Sequence, residues 1–395
     1  MADVQNGNAP IFAGNYNNSG NCGLLYANNN SWTSSNNNCS ARASFLRLWF
    51  RNKRTLRQWK HQQSSDYTAT NQNRPSVYLV AKAKFSAGRR QKKMKRIKIK
   101  LDEILSIEAL VDAFYKSKKT KKNRRDIRDF EARLGYEISS LYKELKNDSY
   151  EPSPSCVFKV YEPKERDIFQ PKLRDLVVQR MIYEAIYKAV DKKLYYYTYG
   201  VRKLRGMHEA GKIAQRYMSA NKYYAQFDIR KYFLNIQKEA LRCELSRYFK
   251  DKKLVELMLK FCGDGVNIGN LLSGIFGMLF LARFDSYVKR ELGAKKYIRF
   301  MDDFVIFDLS LEQCKWYKEK IECFLASVGL SLSKAKINKN MCNFVGFRIT
   351  PHYRLIRKRS IKTYKKAKKK GDNVVMKSIL GLAKGSASYE YLKAS

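Results

Sequence analysis

The chain has 395 residues, with 79 Lys and Arg against 36 Asp and Glu, a formal net charge of +43. Such an imbalance exceeds what solubility requires and points to a polyanionic partner, nucleic acid above all. His61, His208 and His352 are the only histidines, and the eight Cys include no C-x-x-C pair, which argues against His-based metal or triad chemistry, zinc ribbons and iron–sulfur clusters.

The first forty residues hold twelve Asn and one charged residue, Asp3. That segment has too little apolar content to build a core of its own, and its composition alone allows a disordered polar tail. Glu103 to Asn147 is predicted as two helices; the second, DIRDFEARLGYEISSLYKEL, keeps Phe130, Leu134, Ile138 and Leu141 on one face. Lys116 to Arg128 is a basic run, readable as a phosphate-tracking arm or as a solvated helix face. Pro152, Pro154, Pro163 and Pro171 punctuate the next passage, and in YYYTYG, Tyr195 to Gly200, base stacking and plain packing would look alike.

In KYYAQFDIRKYFLNI, Asp228 ends an apolar strand and precedes a helix-like run; Phe233 stands five residues on, where it could be a core ring or a neighbour of a bound nucleotide. Ile268 to Ala282 is the longest apolar run, but Asn270 and Ser273 break it. It falls short of the roughly twenty residues that span a bilayer, and nothing resembles a signal peptide. YIRFMDDFVIF, Tyr297 to Phe307, places Asp302 and Asp303 at the tip of a predicted hairpin. An isolated Asp-Asp would suit a surface turn. Paired with Asp228 on a second apolar strand, it suggests instead a set of hard oxygen ligands, since buried carboxylates are costly until a cation neutralises them. Three such carboxylates can hold two Mg²⁺ ions about 4 Å apart, the arrangement that serves phosphoryl transfer. A second basic run, Arg354 to Lys370, lacks heptad-like apolar positions and reads as a solvated face or arm. The cysteines read as buried thiols of a reducing cytoplasm.

These blocks together resemble the reverse transcriptases. KVYEPKERDIFQP (Lys159 to Pro171) and YTYGVRKLRGMHEA (Tyr197 to Ala210) resemble the family's two finger motifs. The Asp228 motif, VNIGNLLSGIFGMLFLARFD (Val266 to Asp285), the Asp302–Asp303 hairpin, GLSLSKAKI (Gly329 to Ile337) and CNFVGFRITP (Cys342 to Pro351) follow in the family's order. The wording of YEPKER, RKLRG-x-H and IGNLLS is similar to the diversity-generating retroelement branch. Ile268 stands where most reverse transcriptases have a Gln, a change that this branch associates with misincorporation opposite template adenines. Gly274 departs from the branch's usual Ser-Gln, which leaves fidelity open and leaves room for a retron, group II intron or phage-defence enzyme; a non-catalytic RNA-binding protein on the same scaffold is the remaining alternative.

The resemblance implies an α+β right-hand polymerase with fingers, an antiparallel palm sheet backed by helices, and a short helical thumb. The expected divisions are residues 94–150 for an N-terminal helical region, 151–225 for fingers, 226–350 for palm and 351–395 for a short basic thumb. It implies an RNA-directed DNA polymerase, a nucleotidyltransferase of a bacterial or phage-encoded element acting in the cytoplasm. Asp228, Ile229, Asp302 and Asp303 would hold two Mg²⁺, or Mn²⁺ in their place, and Lys334 would protonate the leaving pyrophosphate, with Lys336 an alternative. Lys164, Arg166, Arg202, Lys203, Phe233, Ile268, Gly269, Asn270 and Ser273 would contact nucleotide or template, Phe233 by excluding the ribose 2′-hydroxyl. Template RNA, cDNA, dNTPs and a small basic accessory protein are the implied partners. The Asn-rich string resembles the variable segment of the proteins that these elements diversify. Residues 1–45 are thus expected to be a template repeat read in frame, 46–93 a translated spacer, and Met94 the candidate authentic start.

Overall fold

The computed structural model describes residues 95–119, 124–161 and 165–394. The Asn-rich segment 1–45, the spacer 46–93, Met94 and Lys164 lie outside the described residues. Helices α1 (Leu101–Ile104), α2 (Ile107–Lys118), α3 (Arg125–Ala132) and α4 (Leu134–Lys146) come first, four where the sequence predicted two. Ser106 begins α2 afresh by accepting from the Ala109 amide at 3.0 Å, an N-cap that separates it from α1. Arg133, at φ −115° and ψ 23°, divides α3 from α4. Phe130, Ile138 and Leu141 are buried, as their common face requires, whereas Leu134 at the break is only half-buried.

A hairpin follows, β1 (Cys156–Val160) with β2 (Arg166–Gln170), then α5 (Leu173–Asp191), β3 (Thr198–Tyr199) and α6 (Met207–Ser219). The chain continues through β4 (Tyr223–Ile229), α7 (Tyr232–Asn235), α8 (Lys238–Tyr248), α9 (Lys252–Leu259), α10 (Ser273–Phe280) and α11 (Ala282–Ser286). Next come β5 (Lys296–Phe300), β6 (Asp303–Asp308), α12 (Leu311–Ser327) and β7 (Leu332–Lys339). Strands β8 (Cys342–Phe344), β9 (Phe347–Ile349) and β10 (Arg354–Ile356) form a small sheet, and α13 (Lys358–Lys370), α14 (Asn373–Ala383) and α15 (Ser388–Ala394) complete the described chain.

The main sheet has the order β3-β5-β6-β4-β7, antiparallel except for β3 beside β5. Side chains alternate between its faces. On one face Phe227 and Phe304, paired across β4 and β6, stack at 5.1 Å and are backed by Phe284 of α11 and Phe324 of α12. On the other, Tyr224, Ile298, Val305 and Phe307 join a second core with Tyr217, Phe344, Phe347 and Tyr364. The result is the expected α+β arrangement. β3 and the start of β4 lie within the segment read as fingers yet belong to this sheet, and β10 pairs with β9 across the division at residue 350.

Local contacts also bear on three surface readings. Helix α13 is not solvated all round, since Tyr364 and Ala367 are buried, Ile361 packs with them, and the Tyr364 hydroxyl donates to the Leu392 carbonyl at 2.9 Å. In YYYTYG, packing prevails: Tyr195 stacks on Tyr297 and Tyr197 meets Tyr217, leaving Tyr196 exposed beneath the Arg205 guanidinium. Cys314 and Cys342 are buried, but Cys156 and Cys323 are exposed free thiols. No helix among the described residues is long and apolar enough to cross a membrane. Replacing the fully buried Phe284 with Ala should cost about 3–5 kcal/mol by opening a cavity between the sheet and α12, measured as a lowered urea midpoint with an unchanged slope.

Candidate active site

β5 and β6 are joined by a two-residue turn, Met301 and Asp302, closing the antiparallel pair at Phe300 and Asp303. Met301 takes a left-handed φ of +55°, which lets so short a turn reverse the chain. Asp228 lies directly across from Asp303 on β4, and Lys334 of β7 lies across from Asp228 on its other side. Residues opposed in antiparallel strands share a face. Lys334, Asp228 and Asp303 therefore form a row at the end of the sheet, with Asp302 on the adjoining turn.

Burial pushes the Asp302 carboxyl up to about 6, helped by the Asp228 charge and opposed by the positive charges of Arg166 and Arg299. Asp303 is pushed up to about 8, again by burial first, against a hydrogen bond from Gln226 and the attraction of Lys334. The Gln226 amide donates to Asp303 at 3.1 Å and to the Asn343 carbonyl at 2.8 Å. Ser333 sits at a β-bulge where the register of β7 shifts against Asp228 and Ile229, and its hydroxyl donates to an Asp228 carboxylate oxygen at 2.5 Å. Neither Gln226 nor Ser333 was singled out from sequence; the signal available was a polar residue two before Asp228, on its face, and one hydroxyl beside Lys334.

The donor set suits a hard divalent cation, because neighbouring carboxylates repel one another and a cation offsets that repulsion. Asp228 and Asp302 would hold it. Ile229 is buried and could offer only its backbone carbonyl. Asp303, expected as the third ligand, is engaged by Gln226, and among the described residues no group of three His, Cys, Asp or Glu side chains is arranged to hold a metal ion.

Other expected contacts separate into two kinds. Arg166 on β2 is half-buried, and its charge reaches Asp302. Phe233 is half-buried against α10: a Cβ added at Gly277 would lie 3.0 Å from its ring and 3.3 Å from Met301. The Phe169 amide donates to the Ile268 carbonyl at 2.7 Å, and Gly269, at φ +118°, lets the chain pass where a Cβ would come within 2.5 Å of the Phe169 carbonyl. These contacts fasten the Val266–Asp285 segment to the β1–β2 hairpin. Lys203 is exposed near the Tyr187 ring.

By contrast, the side chains of Arg202, Asn270 and Ser273 are taken up inside the protein. Arg202 is almost wholly buried and binds Asp191 at 2.6 Å and the Thr198 carbonyl at 3.0 Å. Asn270 accepts from Gln179 and donates to the Phe261 carbonyl. Ser273 donates to the Asn267 carbonyl at 2.5 Å. In these positions they shape the loops that carry the site.

The reverse transcriptase (RNA-dependent DNA polymerase) family matches residues 162–365. The chain belongs to the reverse transcriptase family. Relatives include the Escherichia coli K12 protein YkfC, 26% identical over 188 residues that make 42% of this chain and 49% of YkfC. The group II intron-encoded protein LtrA of Lactococcus lactis is 23% identical over 319 residues, 59% of this chain and 52% of LtrA. The chain spans about half the length of these curated relatives. Among solved structures, apo telomerase from Candida tropicalis matches at 14% identity and a TM-score of 0.43, covering 54% of this chain and 50% of that one. Telomerase from Candida albicans, in complex with a fragment of telomeric RNA, matches at 13% and 0.42, covering 57% and 49%.

The raised carboxyls make the stability of this reverse transcriptase depend on pH when divalent cations are chelated. Asp302 and Asp303 bind protons more tightly folded than unfolded, where carboxylates titrate near 4, so the folded state holds the extra protons. Stability should therefore fall as pH rises from about 4 through 6 to about 8, and Asp303→Asn should flatten the upper part of that fall in urea titrations at fixed temperature.

Proposed function

We propose that this reverse transcriptase is an RNA-directed DNA polymerase that copies a template-repeat RNA into adenine-mutagenised cDNA for targeted protein diversification. The polymerase reading is carried by one observation: Asp228 and the Asp302–Asp303 turn meet at the end of the main sheet, in a cluster that needs a cation. Bound there by Asp228 and Asp302, Mg²⁺ would lower the pKa of a primer 3′-hydroxyl and offset the charge of the leaving pyrophosphate. Lys334, across the strand from Asp228, would hand a proton to that group. Ser333 fixes the Asp228 carboxylate, and Arg166 supplies positive charge from the hairpin side, suited to triphosphate oxygens. Phe233, held between Gly277 and its neighbour Tyr232, would exclude a ribose 2′-hydroxyl. The net charge of +43 supplies the attraction for template RNA and its cDNA.

The diversifying role is supported by the aliphatic Ile268 and the Asn-rich leader, whose codons are rich in the template base that such an enzyme would miscopy. The match to LtrA favours a second reading, a faithful intron-type reverse transcriptase. Both are separated by incubating the full chain and a neighbouring small basic protein with Mg²⁺, dNTPs and RNA spanning the leader and spacer, then sequencing the cDNA. Substitutions concentrated opposite adenine are expected; uniformly faithful cDNA would remove the diversifying role and keep the polymerase. Asp302→Asn should lower synthesis at least about 1000-fold, equivalent to about 4 kcal/mol of barrier, while RNA retention on filters stays near wild type. Unchanged synthesis in that variant would overturn the site.

A further inference from the structure

We infer that Asp285 and Arg299 form a buried brace for the Met301–Asp302 turn, which makes Arg299 a positioning residue of the polymerase site; the inference rests on the polymerase reading above. Both side chains are sealed from solvent, Arg299 at 0% and Asp285 at 1% exposure. Their contact is a two-pronged fork: Nε donates to Oδ1 at 2.7 Å and Nη2 to Oδ2 at 2.6 Å. The Tyr297 hydroxyl adds a third donor to Asp285 at 2.6 Å. Asp285 belongs to α11, so the fork ties that helix to β5.

One nitrogen of the guanidinium does not serve the pair. Nη1 donates to the Met301 carbonyl at 2.9 Å, on the first residue of the turn that presents Asp302. Met301 holds a left-handed backbone that a side chain disfavours, and such a conformation persists only where its surroundings over-determine it. The same carbonyl bond limits how Asp302 can rotate about that backbone. Buried ion pairs add little stability beyond a well-packed apolar pair. Stability alone therefore does not account for an Arg that turns its third nitrogen to the catalytic turn, whereas aiming that turn does. The brace also lies behind the site: Nη1 is 3.8 Å from Met278 on α10, the helix whose Gly277 borders Phe233 and Met301. Arg299 thus joins α10, α11, β5 and the turn without facing substrate.

Two variants separate aiming from folding. Arg299→Lys keeps the charge opposite Asp285 but loses the planar fork that reaches Asp285 and Met301 together. The double variant D285L/R299M replaces the pair with apolar side chains and is expected to keep the fold. In the full chain, each folded variant should lose about 100-fold in kcat, the scale of a small misplacement, with the dNTP KM within about threefold of wild type. Hydrogen exchange should quicken in the peptide covering residues 298–305 and stay unchanged in α8 and α12. A folded variant with wild-type kcat and wild-type exchange in that peptide would overturn the brace. Absence of DNA synthesis by the wild type itself would instead count against the polymerase reading, and the exchange comparison would still decide whether the pair holds the turn.

Discussion

Everything at the site depends on the register of β4 against β6. With Phe227 opposite Phe304 and Asp228 opposite Asp303, one face of the ladder is a stacked aromatic core and the other ends in carboxylates. A slip of one residue would put the Asp side chains into the Phe284–Phe324 core and turn the paired rings toward the face that now ends in carboxylates. The hydrophobic energy that sets the register is therefore the same energy that brings the acids together, and the electrostatic cost of that meeting is borne by the core behind it.

That cost explains much of the surrounding chemistry. Asp302 and Asp303 are half-buried and close to Asp228, and both carboxyls are pushed upward. Gln226, Ser333, Lys334 and Arg166 each relieve part of the strain without neutralising it, one through an amide, one through a hydroxyl and two through positive charge. The site is left short of positive charge, which a divalent cation would supply. A second layer, from Arg202, Gln179, Asn270 and Gly269, uses buried polar bonds and one glycine backbone to seat the loops above it.

Much of the chemistry was legible in the chain because it is local. YIRFMDDFVIF states a hairpin by alternation and a turn by its acids, and the Asp228 strand repeats the pattern. Less legible were the roles of Arg202, Asn270 and Ser273, since a polar residue in a family-like motif reads as a ligand contact until its partner is known, and Asp191, Gln179 and Asn267 are identified only by folding. The break at Arg133 was hidden because the apolar spacing of Phe130, Ile138 and Leu141 continues across it. Tyr364 and Ala367 were hidden for the opposite reason: their apolar signal is diluted by the Lys and Arg around them.

By itself the sequence determined the alternation of the strands, the three acids and the excess of positive charge, all of which depend on residue type and short spacing. Only the tertiary structure decided that Asp303 turns to Gln226, that a β-bulge brings Ser333 onto Asp228, and that Arg299, inside a buried strand, reaches both Asp285 and the Met301 carbonyl. Those are contacts between residues far apart in the chain or across a turn. Their distances are fixed by strand register and helix packing, so no local pattern encodes them.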